Sequence, residues 1–207
     1  MTTKNIKKKS LPGDTYYTPA WAVRQFIDEA LPIAWPEWQS VAPGSILEPG
    51  AGRGVFVDEF RAKFPDSCIV AVDIDPKPMP WKNATSSYTM DFIRQFDVGE
   101  TKFDLVIGNP PYTFAMEFVK KSLRVGNNVA FLLRQGFMAS AERGAFFRDQ
   151  QPAYVFLLPN RPSFTDDGQT DSADYCWVVW KRDWAGCDTR LHWLSNVPVD
   201  VRKRIAA

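Results

Sequence analysis

Short apolar runs alternate with helix-forming segments along most of this chain, and that alternation limits the fold more than any other feature. Three segments between the apolar runs, at 55–64, 115–123 and 141–150, are predicted helices. The apolar runs predict seven strands, at 45–47, 68–74, 88–90, 103–107, 128–133, 154–158 and 175–181. Strands that alternate with helices indicate a doubly wound α/β fold with a mostly parallel sheet.

The segments before the first predicted strand and before the last one add further detail to the predicted fold. Residues 159–174 lack helical periodicity, and an antiparallel return needs no helix, so the last strand is predicted to run antiparallel to the others. On the N-terminal side, residues 19–31 have helical spacing, with Thr18 as the N-cap and Pro19 as the first helical residue. A connector rich in proline and tryptophan, residues 32–44, is predicted to link this helix to the first strand.

Composition bounds the class of protein. The 207 residues suffice for one well-buried domain, and a net charge of +1 excludes a strongly basic nucleic-acid binder. No apolar run approaches the ~18–20 residues of a membrane span. The three widely spaced cysteines and the single histidine form neither a disulfide framework nor a metal pattern. We therefore expect a metal-free cytoplasmic protein with a basic tail at 1–14 and a single domain at 15–207.

A glycine-rich segment, residues 48–54, lies between the first strand and the following helix. Its three glycines permit tight turns and close approach of a ligand to the backbone. The dinucleotide-binding pattern requires a small residue at position 55, where this chain has Val55. The Lys-Ser/Thr pair of phosphate-binding loops is also absent. The segment therefore favours a nucleoside ligand without a diphosphate.

Carboxylates end three successive predicted strands: Glu48, Asp73 and Asp91. A carboxylate at the end of the second strand suits two ribose hydroxyls, which gives Asp73 that role. Asp91 is placed to accept from the exocyclic amine of adenine. A cleft lined by carboxylates also favours a positively charged ligand. Asp73 or Asp91 alone would be equally well explained as a loop carboxylate, but this does not explain three carboxylates at successive strand ends.

The strand at 103–107 is followed by Asn109, Pro110, Pro111 and Tyr112. The Asn109 side-chain oxygen and the Pro110 carbonyl are two acceptors for the N–H groups of a conjugated amine. The consecutive prolines stiffen the backbone that carries these acceptors, and Tyr112 offers a flat face for stacking. The alternative is an ordinary Pro-Pro turn.

In their order along the chain, these motifs resemble those of N6-adenine DNA methyltransferases of the gamma arrangement, over roughly residues 15–181. The matching elements are Tyr17-Thr18-Pro19, residues 48–54, Asp73, Asp91-Phe92 and Asn109 to Tyr112. The resemblance implies a class I methyltransferase-like Rossmann fold, S-adenosyl-L-methionine as cofactor and DNA as partner, with the adenine flipped out of the duplex or presented on a single strand. The size is similar to that of small methyltransferases of phages and prophages, which act in the cytoplasm of a bacterial host.

Site residues follow from these motifs. The predicted catalytic residues are Asn109, Pro110, Pro111 and Tyr112. Substrate contacts are predicted for Tyr112, Arg134 and Phe164. The predicted cofactor-binding residues are Tyr17, Thr18, Pro19, Glu48, Pro49, Gly50, Ala51, Gly52, Asp73, Ile74, Asp91, Phe92 and Asn109.

Several alternatives stay open at the level of sequence. The chain has no room for the separate target-recognition domain of larger relatives, so recognition is expected from loops or from a partner. A protein-glutamine or RNA-base methyltransferase shares the Asn-Pro-Pro-Tyr motif, and a non-catalytic cofactor- or DNA-binding module would keep the fold. The acidic residues of the 159–174 loop would repel a DNA phosphate backbone unless Arg161 and nearby lysines offset their charge. The tryptophans Trp177, Trp180 and Trp193 are predicted to pack inside the protein, and so is Phe114.

Overall fold

The computed structural model describes residues 17–75, 81–164, 170, 172–184 and 188–204. The predicted basic tail lies outside these residues, as do Asp166, Asp167 and Asp171 of the acidic loop. Eight strands are found in the described part: β1 Ser45–Pro49, β2 Cys68–Asp73, β3 Ser86–Thr89, β4 Phe103–Gly108, β5 Gly126–Arg134, β6 Tyr154–Leu157, β7 Tyr175–Lys181 and β8 Arg190–Trp193. The helices are α1 Ala20–Gln25, α2 Leu31–Ala34, α3 Val55–Lys63, α4 Ala115–Val125, α5 Ala141–Asp149 and α6 Val199–Arg204.

The strands form one sheet in the order β3-β2-β1-β4-β5-β7-β6-β8. Strands β1 to β5 pair in parallel, whereas β7 runs antiparallel to both β5 and β6. The predicted doubly wound, mostly parallel sheet with an antiparallel strand at 175–181 is therefore confirmed.

The predicted strand number, seven, is wrong by one. The additional strand β8 lies at the sheet edge and pairs in parallel with β6. Its four residues are largely exposed and include Arg190 and His192, so it has no apolar run that would mark it in the sequence. Trp193 of this strand was expected to pack inside the protein, but 72% of its surface is exposed.

The N-terminal helix differs from the prediction at both of its ends. It continues past residue 31 through a π-helical stretch, Phe26–Ala30, into α2. Pro32 in a regular α-helix would clash with the carbonyl four residues earlier, and the wider π turn accommodates it. The first half of the predicted connector is therefore helical, including a 3₁₀ turn at Pro36–Gln39. The N-cap residue is Pro19, and no side chain caps the helix, so the prediction of Thr18 as N-cap is wrong.

Apolar residues fill both faces of the sheet. One face packs against α1, α2 and α3, with Phe26 and Trp177 in ring contact. The other packs against α4 and α5, where Phe147 stacks on Trp180. Trp177 and Trp180 are buried, as predicted. Phe114 packs on the second face, the one that α4 and α5 cover. With helices on both faces, ligands are expected at the strand ends.

The carboxyl ends of β1, β2, β4 and β5 meet along one edge of the sheet, and the antiparallel β7 begins there. The predicted motifs follow these strand ends, so the topology brings them to the same edge. None of the described helices is long and apolar enough to cross a membrane.

Candidate active site

The glycine-rich segment turns sharply after β1. Gly50, Gly52 and Gly54 all have positive φ, at 75°, 50° and 78°, a conformation that L side chains rarely adopt. The backbone N–H groups of Gly50 and Ala51 both donate to the Val72 carbonyl, at 2.7 and 3.0 Å. The loop is therefore anchored to the neighbouring strand β2.

The buried Trp81 supports this loop, a role that the sequence did not reveal. Its indole Nε1 donates to the Gly52 carbonyl at 2.9 Å. A Cβ at Gly54 would collide with Trp81 Cδ1, so this position requires glycine for its space as well as for its φ. No local pattern marks Trp81, because it follows Gly52 by 29 positions.

Asp73 lies at the end of β2 and connects the loop to that strand. Its Oδ2 accepts from the Gly52 N–H at 2.7 Å, and its Oδ1 accepts from the Asp75 N–H at 2.8 Å. A carboxylate has about four lone-pair positions. Each oxygen therefore keeps the capacity to accept from one more donor, as the two hydroxyls of a ribose would require.

The other predicted residues at the ends of β2 and β3 have different surroundings. Asp91 Oδ1 accepts from the backbone N–H groups of Ile93 and Arg94, which makes it the first residue of a tight turn. Ile74 is 68% exposed, an open apolar surface beside Asp73. Phe92 is buried against Phe118, with ring centroids 5.2 Å apart. The cofactor-binding roles of these residues stay predictions.

Glu48 lies in the interior of the site, with only 2% of its surface exposed. Burial raises its pKa well above the ordinary value, and the charges of Asp73 and Asp58 add to this effect. The opposing influence is the Val57 N–H, which donates to Glu48 Oε2 at 3.0 Å. Glu48 therefore both anchors the start of α3 and places an ionisable group in the cleft.

Because its folded-state pKa is raised, Glu48 favours folding in its protonated form. Its contribution is complete below a pH of about 4.5 and is lost as the pH rises through the folded-state pKa. Glu48→Gln keeps an acceptor for Val57 and removes this loss. At a pH above the folded-state pKa of Glu48, we expect the variant to melt at a higher temperature than the wild type. The difference should be about 2–4 °C for each kcal/mol of unfolding free energy recovered. Melting curves without cofactor across a pH series measure this, and parallel profiles of the two proteins would contradict it.

Asn109 follows β4 and is held by a residue far away in the sequence. Its Nδ2 donates to the Thr18 Oγ1 at 3.1 Å. Its side-chain oxygen Oδ1 is buried and has no hydrogen-bond partner among the described residues. Such an acceptor is costly unless a ligand satisfies it. The bond to Thr18 fixes the amide so that this oxygen is the atom left for a ligand.

Thr18 therefore orients Asn109 instead of capping the helix, and this role can be tested. Thr18→Val replaces the hydroxyl with a methyl group and frees the amide. We expect turnover to fall about tenfold, the effect of one hydrogen bond, while Thr18→Ser restores it. Steady-state kinetics and calorimetry with S-adenosylhomocysteine measure both parameters. Full turnover with weakened cofactor affinity would show that Thr18 contacts only the cofactor.

The residues predicted to contact the substrate, Tyr112, Arg134 and Phe164, lie in one cluster around Tyr175. The Arg134 guanidinium lies 4.2 Å from the centroid of the Tyr112 ring. Phe164 is buried against the Tyr175 ring, with centroids 4.9 Å apart, and its carbonyl accepts from the Tyr17 N–H. Phe164 thus presents no open face in this conformation, and its stacking role stays a prediction, as does that of Arg134.

A cleft that encloses about 290 Å³, part of it open solvent, lies beside Asn109 and the glycine-rich loop. Seven of the lining residues were predicted to bind the cofactor, and one of these, Asn109, was also predicted to act in catalysis. Together they are Tyr17, Thr18, Glu48, Gly50, Ala51, Gly52 and Asn109. Arg53, Val55 and Phe56 also line it and were not predicted. The Arg53 guanidinium lies 3.6 Å from the Tyr17 ring centroid, at the border of the cleft.

Proteins with similar sequences are methyltransferases. A segment of this chain is 32% identical over 108 residues to the Type II methyltransferase M.CvrRI of Paramecium bursaria Chlorella virus XZ-6E, covering 51% of this chain and 26% of that protein. Another is 30% identical over 161 residues to the Type II methyltransferase M.XamI of Xanthomonas campestris pv. amaranthicola, covering 63% and 28%. The matches thus span about a quarter of the length of these relatives. No family model matches the chain.

Solved structures agree on the architecture. A putative class I S-adenosylmethionine-dependent methyltransferase of Listeria monocytogenes superimposes with a TM-score of 0.67 at 17% identity, covering 96% of this chain and 72% of that one. The fold is that of class I methyltransferases. A putative RNA methyltransferase of Pyrococcus horikoshii gives a TM-score of 0.60 at 15% identity, covering 79% and 85%. These comparisons confirm the resemblance to methyltransferases that the motifs predict. Both of the similar sequences described above are Type II methyltransferases.

Proposed function

We propose that this protein transfers a methyl group from S-adenosyl-L-methionine to the N6 amine of adenine in DNA. The observation that carries the proposal is the buried Asn109 Oδ1, an acceptor without a partner among the described residues, beside the cleft of the glycine-rich loop. The Type II methyltransferases among the similar sequences support DNA as the substrate. We place this activity in the bacterial cytoplasm.

The residues present fit a nucleoside cofactor of this kind. Asp73 keeps acceptor capacity on both oxygens at the end of β2. Gly50 and Gly52, without side chains, let a ligand approach the backbone that lines the cleft. The carboxyl group of Glu48 lines the same space and favours a cationic ligand when ionised.

The chemistry needs a nucleophilic amine held at a fixed distance and angle. When bound, S-adenosyl-L-methionine supplies an electrophilic methyl group on a positively charged sulfur. Asn109 Oδ1 accepts one N–H of the adenine amine, and the Pro110 carbonyl accepts the other. These two contacts turn the nitrogen lone pair out of conjugation and towards the methyl group, and they stabilise the positive charge that develops on nitrogen. Positioning then accounts for most of the acceleration.

Tyr112 holds the plane of the base in this arrangement. Its ring lies three residues beyond Asn109, on a 3₁₀ turn that follows the two prolines. A base within a duplex cannot reach this cleft, so the adenine is flipped out or presented on a single strand. We propose that recognition of the flanking sequence comes from loops at this edge of the sheet or from a partner protein.

The experiment that tests this function offers the purified protein several acceptors in parallel. Whole-genome-amplified DNA, which is unmethylated, total RNA and denatured cell protein are each incubated with methyl-labelled cofactor. The DNA is then digested to nucleosides and analysed by mass spectrometry. We expect label in DNA as N6-methyladenine. N4-methylcytosine would overturn the choice of base, and label only in RNA or protein would overturn the choice of substrate.

A further inference from the structure

Tyr175 is a residue of this site that the sequence did not indicate. It is the first residue of β7 and is fully buried. In the antiparallel register between β5 and β7 it lies opposite Arg134, and the Asp174 carbonyl beside it accepts from the Gln135 N–H at 2.9 Å. The backbone at this point is therefore fixed on both strands.

The Tyr175 hydroxyl connects two side chains that are predicted to contact the substrate, Tyr112 and Arg134. The Tyr112 hydroxyl donates to it at 3.0 Å, and the Arg134 Nε donates to it at 3.2 Å. These two partners also contact each other, since the Arg134 guanidinium lies over the Tyr112 ring. One phenolic oxygen thus sets the orientation of a stacking ring and of a cation at the same time.

The ring of Tyr175 is held independently of its hydroxyl. It packs on Phe164, whose carbonyl is bound by the Tyr17 N–H at 3.1 Å, next to the Thr18 that holds Asn109. The hydroxyl therefore projects from a fixed ring, as a group that orients a neighbouring site must. Removing the oxygen alone leaves this packing in place.

We infer that the Tyr175 hydroxyl is a positioning group for the target base: it holds the Tyr112 ring in the plane that receives the base and holds Arg134 beside it. This inference rests on the proposed function, because it assigns Tyr112 to the substrate. A base that stacks on a preoriented ring loses less freedom on binding than one that must order the ring itself. The hydroxyl acts through Tyr112 and Arg134 and does not touch the reacting atoms.

Tyr175→Phe tests the inference, with Tyr154→Phe as the matched control. Tyr154 is a buried tyrosine on the adjacent strand β6, at the end of the sheet away from the site, and its hydroxyl makes none of the hydrogen bonds of the described residues. For Tyr175→Phe we expect the KM for DNA to rise about tenfold, with calorimetric affinity for S-adenosylhomocysteine within twofold of the wild type. Tyr154→Phe should match the wild type in both measurements. An unchanged KM for Tyr175→Phe would overturn the inference.

A double-mutant cycle separates positioning from general loosening of the fold. In a Tyr112→Phe background, Tyr175→Phe should raise the KM by clearly less than it does in the wild type, because the hydrogen bond between the two hydroxyls is already lost. Equal effects in both backgrounds, or a loss of cofactor affinity in step with activity, would assign Tyr175 a purely structural role and refute the proposal. Should the wild type methylate RNA or protein instead of DNA, only the choice of substrate fails. The same comparison on that substrate then decides the role of Tyr175.

Discussion

Asn109→Ala is expected to lower turnover by about a thousandfold, the upper range for removing one stabilising group from a preorganised polar site. The alanine removes the buried oxygen that accepts the amine N–H, so the lone pair stays delocalised into the ring. It removes little that the cofactor needs, because the loop is held by Asp73 and β2. Cofactor affinity should therefore stay within a few fold. Single-turnover kinetics and calorimetry with S-adenosylhomocysteine measure the two effects.

The matched control for this substitution is Asn127→Ala. Asn127 lies near the start of β5, at the opposite end of the sheet, where its Oδ1 accepts from Arg182. Its replacement should leave turnover unchanged. Wild-type turnover by Asn109→Ala would refute the assigned role, and an equal loss in both variants would show that the effect is on folding.

Asp73→Ala has the second largest expected effect, a weakening of cofactor binding by about a hundredfold. Each hydrogen bond to a charged group contributes roughly 1.5–3 kcal/mol, and a ribose would make two with this carboxylate. Each 1.4 kcal/mol corresponds to a factor of ten in affinity. The substitution also removes the acceptor that holds the Gly52 N–H. Isothermal titration with S-adenosylhomocysteine gives the dissociation constant directly.

Asp97→Ala is the corresponding control. Asp97 is an exposed carboxylate that also accepts from a backbone N–H two residues later, that of Gly99 at 3.1 Å. Its loss tests whether removing such a local contact by itself affects the cofactor. Unchanged affinity in Asp73→Ala, or an equal loss in Asp97→Ala, would take Asp73 out of the site.

The sequence predicts the sheet and the location of the site because both depend on local signals. The apolar runs of β1, β2 and β4 are continuous, as expected for parallel strands buried on both faces, and the motifs follow directly after them. The rule that ligands lie at the carboxyl ends of parallel strands then places Glu48, Asp73 and Asn109 at one edge. The structure brings Glu48 and Asn109 to one cleft and connects Asp73 to it through Gly52.

What the sequence could not predict depends on contacts between distant positions. Thr18 and Asn109 are 91 positions apart, and Tyr112 and Tyr175 are 63 apart, so no spacing rule joins them. Thr18 before a proline has the local signature of an N-cap, which its bond to Asn109 overrides. Trp81 was missed because a lone tryptophan in a polar stretch has no periodicity.

The proposed methyl transfer requires Asn109 to present its side-chain oxygen to an amine beside the cofactor, and a crystal structure with bound S-adenosylhomocysteine tests this most directly. We predict the ligand in the cleft along Gly50 to Gly52, with its ribose on Asp73 and its sulfur facing Asn109. A ligand bound at another surface, or an Asn109 side chain turned away from the sulfur, would contradict it.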